Sequence, residues 1–208
     1  MKSILCYGDS LTWGYNPTDA SRYPQDARWP GILERELEGR ARVIEEALNG
    51  RTVATDEPAR PNRNGLAMLP PLIETHAPLD IVIIMLGSND CAPAYGLTPG
   101  EIAMDCASLI RVTRSSLAGS GGGTPKILLI APPPFGTLDP LSALFYAGGE
   151  ATSQGLAAAY ATIALSFDCL FLDAAQVTNA SALDGVHLDP PEQRKLAMAI
   201  RNIVQPLL

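Results

Sequence analysis

The chain has 208 residues, a net charge of −7, 47% hydrophobic and 18% charged residues. That is enough for one buried domain over 1–208, too apolar for a disordered chain, and too acidic for a protein that grips nucleic acid by its phosphates. No apolar stretch reaches the roughly 20 residues that cross a bilayer, and no leader-like segment precedes the first strand, so a soluble, cytoplasmic protein without membrane or nucleic-acid partners is expected.

Ile4–Tyr7 is the first β-like run, and it ends abruptly on Gly8-Asp9-Ser10 before Leu11-Thr12-Trp13-Gly14. The second run is Val43–Glu46, followed by Asn49-Gly50-Arg51-Thr52. Residues 52–65, rich in Pro and charge, read as a surface excursion. Ile81–Leu86 is continuously apolar, as in a strand covered by helices on both faces, and leads into Gly87-Ser88-Asn89-Asp90. Thr98-Pro99-Gly100-Glu101 has the form of a capping box with proline at the first helical position. Ile102, Cys106, Leu109 and Ile110 follow at helical spacing, and the Ser/Gly run 118–123 ends that helix. After a fourth strand, Ile127–Ile130, the segment 131–149 reads as a second surface excursion. Leu156–Phe167 is a helix, Leu170–Leu172 a fifth strand, and Glu192–Leu208 a closing helix. Strands alternating with helices imply right-handed crossovers and a parallel sheet, hence an α/β three-layer sandwich of five strands. Cys6, Cys91, Cys106 and Cys169 lie far apart without a C-x-x-C pair, so free thiols are expected, with no metal and no cofactor.

Ligands of parallel sheets bind outside the carboxyl ends of the strands, where all the polar clusters above fall. The chain has only two histidines. His76 precedes the third strand and reads as a solvated or capping residue. His187 follows the last strand in Asp184-Gly185-Val186-His187, and a carboxylate three residues back can fix its tautomer. An Asp-oriented histidine is the usual activator of a serine nucleophile, and Ser10 is the candidate. Taken alone, Ser10 reads better as the cap of the helix beginning near Leu11. Gly50 can offer a backbone N–H and Asn89 a side-chain amide to a developing oxyanion. Trp13, Tyr15, Phe145 and Tyr146 are candidate pocket walls, with core packing the alternative for each. Two rival classes stay open: a phosphoesterase in which Asp9, Asp90, Asp184 and His187 hold a metal, and a non-catalytic ligand-binding module.

Gly8-Asp9-Ser10-Leu11, Gly50, Gly87-Ser88-Asn89-Asp90 and Asp184-Gly185-Val186-His187 resemble the four blocks of the SGNH, or GDSL, hydrolases. The stretches GDSLTWGY, DARWPGIL, VIEEALNGRT, LDIVIIMLGSND and DGVHL are similar to the arylesterase/acyltransferase branch, which includes perhydrolases and enzymes that transesterify in water. The resemblance implies a flavodoxin-like fold with strand order 2-1-3-4-5 and a serine esterase acting on short acyl esters, with alcohols as second substrates. It also implies Ser10 as nucleophile, His187 as base, Asp184 as its orienter, and an oxyanion hole of the Ser10 N–H, the Gly50 N–H and the Asn89 amide. A carbohydrate acetylesterase of the same family is the alternative. One departure is that a close arylesterase relative carries Ala where Gly50 stands. Members of the branch form homo-oligomers, octamers among them, whose neighbouring subunits narrow the site. The apolar segment Pro132–Gly149 is expected to meet such a neighbour, or else to fold onto its own core.

Overall fold

A computed structural model describes Met1–Leu208. Five strands, β1 (Lys2–Gly8), β2 (Ala41–Ala47), β3 (Ile81–Met85), β4 (Lys126–Ala131) and β5 (Leu170–Asp173), form one sheet in the order β2-β1-β3-β4-β5. Every pairing is parallel. The seven α-helices are α1 (Ser10–Trp13), α2 (Trp29–Glu36), α3 (Gly65–His76), α4 (Pro99–Ser115), α5 (Pro140–Tyr146), α6 (Glu150–Ser166) and α7 (Pro190–Val204).

Strand alternation sorts the apolar residues into two cores. Leu5, Tyr7, Val82, Ile84 and Leu129 point to the side covered by Leu69 and Ile73 of α3, Ile102 and Ile110 of α4, and Leu156 and Tyr160 of α6. Ile4, Cys6, Ile83, Met85 and Ile130 face α2 and α7 through Trp29, Leu33, Leu196 and Ile200. All five residues of β3 are buried, as its unbroken apolar run requires. The capping box of α4 forms as read, with the Glu101 N–H and the Thr98 Oγ1 paired and the Glu101 carboxylate returning to the Thr98 N–H.

One expectation changes. The segment 131–149 is no plain surface excursion: Phe135 and Tyr146 pack against the α3/α4/α6 core, and residues 140–146 form α5 under an Asp139 cap. Its outward side chains stay open, with Leu141 62%, Leu144 78% and Phe145 62% exposed. α3 carries Pro70 and Pro71 within its span, a sequence feature that argues against a helix, yet Asn64 caps it and Leu69 and Ile73 anchor it. Cys6, Cys91, Cys106 and Cys169 are all free thiols, the last half-buried.

Candidate active site

The turn after β1 is built to hold Ser10 in one place. At Gly8 a Cβ would run into the Thr12 side chain and the Met85 carbonyl oxygen, so only glycine lets strand and helix approach so closely. Asp9 is the cap of α1, its Oδ1 accepting from the Leu11 N–H at 2.9 Å. Ser10 is thus the first helical residue rather than the cap, and its hydroxyl is free for another partner. That partner is His187, whose Nε2 lies 3.0 Å from the Ser10 Oγ.

His187 is held from its other side. Asp184 Oδ2 meets Nδ1 at 2.5 Å, while Oδ1 accepts from the Val186 and His187 N–H groups, each at 2.9 Å. One carboxylate therefore shapes the loop and orients the ring, and the Tyr15 ring stacks on the imidazole at 4.1 Å between centroids. Burial raises the Asp184 pKa, but the His187 bond and charge and the two N–H donors outweigh it and hold the carboxyl below its ordinary value. His76 is elsewhere: it closes α3 and pairs with Glu46 at 2.7 Å.

Ser10 shares one cavity with Gly50 and Asn89. The N–H groups of Ser10 and Gly50 donate to no main-chain carbonyl. Asn89 Nδ2 donates to the Arg51 carbonyl at 2.9 Å and, more weakly, to Asp9 Oδ2 at 3.3 Å. The Arg51 carbonyl can only accept, so it fixes the amide nitrogen of Asn89 on its side, and the Tyr146 hydroxyl donates to the Oδ1 at the other end at 2.9 Å. Arg51, 4% exposed, ties this loop to the ends of β1 and β2 through the Gly8 and Glu46 carbonyls. These groups open on a cavity of about 190 Å³ lined by Ser10, Tyr15, Gly50, Asn89, Tyr146 and His187, among others.

Of the aromatic candidates, Tyr15, Phe145 and Tyr146 line this cavity and Trp13 does not. The Trp13 indole instead lies under the Arg22 guanidinium, 5.1 Å from its centroid, and Arg22 is itself tied to the Trp13 carbonyl and to Glu45. Asn49, Arg60, Leu141 and Ser142 also line it and were not singled out in sequence. Arg60 sits ten residues beyond Gly50 in a loop with no periodicity; α5 was hidden in a Pro/Gly-rich stretch.

Asp9 and Asp90 lie behind the cavity, fully buried. Burial pushes Asp9 up to about 6 against the pull of the Leu11 N–H, and pushes Asp90 up to about 7 despite two bonds from the Val53 N–H, with the Asp9 charge adding to the rise. A carboxyl whose folded pKa exceeds its unfolded value binds more protons when folded, so its stabilising share is present at low pH and is lost as pH rises through the folded value. Melting temperature is therefore expected to be higher at about pH 5 than at about pH 8, and Asp90→Asn should shrink that difference by about 5 °C in calorimetry. An unchanged pH dependence in the variant would refute the assignment to Asp90.

The profile of the GDSL-like lipase/acylhydrolase family matches residues 6–194. The chain belongs to that family. An arylesterase of Vibrio mimicus is 30% identical over 138 residues, which are 65% of this chain and 58% of that relative; the chain thus spans little more than half of it. Among solved structures, the aryl esterase of M. smegmatis superposes with a TM-score of 0.96 at 38% identity, and the carbohydrate acetylesterase Est24 of Sinorhizobium meliloti with 0.95 at 36%. Each pairing covers 100% of both chains. The GDSL fold and the arylesterase branch suggested by the sequence motifs both find support here.

Proposed function

We propose that this GDSL-family chain is a serine carboxylesterase that hydrolyses short-acyl esters or transfers the acyl group to alcohols. The observation that carries the reading is the line Asp184 Oδ2, His187, Ser10 Oγ, with contacts of 2.5 and 3.0 Å, at a cavity that Gly50 also lines, where the N–H groups of Ser10 and Gly50 have no main-chain acceptor.

Ser10 Oγ attacks the ester carbonyl carbon while His187 Nε2 takes its proton. Negative charge gathers on the carbonyl oxygen, where the Ser10 and Gly50 N–H groups meet it. The Asn89 amide joins them by giving up its long bond to Asp9, which is the weakest it makes. Collapse breaks the bond to the leaving alcohol, which takes the proton from His187, and leaves Ser10 acylated. Water or a second alcohol repeats the sequence in reverse, losing its proton to His187 and releasing acid or new ester. The cavity of about 190 Å³ is below the roughly 300 Å³ of ordinary ligand pockets, which favours acetyl-sized groups. Leu141, Leu144 and Phe145 stand exposed on one side of α5, and we assign them to a contact between copies of the chain, which would narrow the mouth further; a monomeric mass in light scattering would refute that contact.

A p-nitrophenyl ester series tests the reading. kcat/KM should be highest for acetate and fall by about tenfold or more at octanoate, and an added alcohol should divert product from acid to ester. A profile rising with chain length, or activity abolished by EDTA, would overturn it. The likeness to the carbohydrate acetylesterase of Sinorhizobium meliloti favours acetylated sugars as a second substrate class, measurable as acetate released from a peracetylated hexose.

A further inference from the structure

Two cations meet at the Asn49 carbonyl, on the edge of the loop that carries Gly50, and the acyl-transfer scheme uses neither. Arg60 Nη2 and Arg63 Nε both donate to the carbonyl oxygen of Asn49, at 2.9 and 2.8 Å. Neither makes an ion pair, although Lys2, Arg22, Arg28, Arg194 and Lys195 all find carboxylates. The acids on their own loop are turned elsewhere: the Glu57 carboxylate accepts from the Ala59 N–H and the Tyr95 hydroxyl, and Asp56 accepts from Asn64.

Arg60 alone of the two lines the cavity, and no Asp or Glu lines it. Its guanidinium lies directly against Gly50, so close that a Cβ there would overlap it. Gly50 has φ +76°, a conformation glycine adopts without strain, and the missing side chain is the space the guanidinium fills. Only one of the guanidinium nitrogens has an acceptor within the protein. A planar fork with free N–H donors is the group best suited to a carboxylate or phosphate, and here it adjoins the residue whose N–H faces the reacting carbonyl.

We propose that Arg60 is a specificity-determining residue that anchors an anionic substituent, so that the preferred ester carries a carboxylate or comparable anion close to the bond that is broken. The inference rests on the esterase reading. Because the mouth is open to water, the effect is that of a partly screened charge-assisted hydrogen bond.

Two matched ester pairs test it: 4-acetoxybenzoate against its methyl ester, which places the charge on the leaving group, and mono-4-nitrophenyl glutarate against 4-nitrophenyl butyrate, which places it on the acyl group. In at least one pair, the ratio of kcat/KM for the anionic ester to that for the neutral one is expected to fall by about fivefold to tenfold in Arg60→Gln, through KM. The wild-type ratio should also shrink between about 0.05 and about 0.5 M NaCl, while the ratio in the variant stays flat. Equal ratios in wild type and variant for both pairs, with the neutral esters turned over, would overturn the Arg60 assignment alone. No turnover of any of the four esters by the wild type would overturn the esterase reading itself. Arg60 is exposed and makes one side-chain bond, so the variant is expected to fold.

Discussion

Replacement of Ser10 by Ala is expected to lower kcat for p-nitrophenyl acetate by about 10⁴-fold to 10⁶-fold, the range seen when a serine nucleophile is removed from a working triad. The size follows from chemistry: without Oγ no acyl-enzyme forms, and what remains is the positioning of water by the N–H donors. The fold should not notice the change. The cap of α1 is Asp9, not Ser10, and the Ser10 hydroxyl has His187 as its hydrogen-bond partner. Circular dichroism and the melting temperature should therefore match wild type while turnover disappears. Activity retained within about tenfold in a purified Ser10→Ala protein would remove Ser10 from the mechanism, and the two-step scheme with it.

Asp184→Asn carries the second largest effect, about 10⁴-fold in kcat. The asparagine Oδ1 can still accept from the Val186 and His187 N–H groups, so the loop keeps its shape. The amide nitrogen, however, would face His187 Nδ1 where a carboxylate oxygen stands 2.5 Å away. A donor at that point favours the tautomer with its proton on Nε2, and an imidazole protonated there cannot take the proton of Ser10. The loss should appear in kcat far more than in KM, because Asp184 lies behind the imidazole and does not line the cavity. Since the native carboxyl is held below its ordinary value, wild-type activity should not decline from Asp184 protonation at mildly acidic pH. A variant that keeps wild-type kcat would show that His187 needs no orienter, and a variant that loses it only together with a large drop in melting temperature would make Asp184 a structural residue.

Much of the fold was legible because burial writes itself into residue type. β1, β3 and β4 are flanked on both faces by helices, so their apolar runs had no polar interruptions to obscure them. α4 was bounded by a capping box and a glycine run, both of which act through local hydrogen bonds. α3 and α5 escaped because their helicity is imposed from outside. α3 carries two prolines that local propensity rejects, and it is kept by burying Leu69 and Ile73; α5 is seven residues long, below the length at which a pattern can be told from chance.

The site divides in the same way. Gly8-Asp9-Ser10, Asn89 and Asp184-x-x-His187 could be placed on one edge from strand order alone, since every parallel strand delivers its carboxyl end to the same side. Short-range geometry made the Asp184–His187 pairing readable, three residues apart in one turn. What sequence order could not decide is anything that depends on two distant side chains occupying the same space. Trp13 lies three residues from Ser10, yet its ring turns away beneath Arg22. Tyr146 reaches Asn89 across 57 positions, and Arg60 fills the space that Gly50 leaves empty, a fit that neither residue announces alone. By itself, then, the sequence determined the strand plan, the edge at which chemistry gathers, and the residue types available there, because these follow from local propensity, burial and chain direction. The tertiary structure alone decided which of those residues touch, which aromatic rings form the walls, and where an unpaired cation comes to rest, because contact between remote side chains is set by packing in three dimensions.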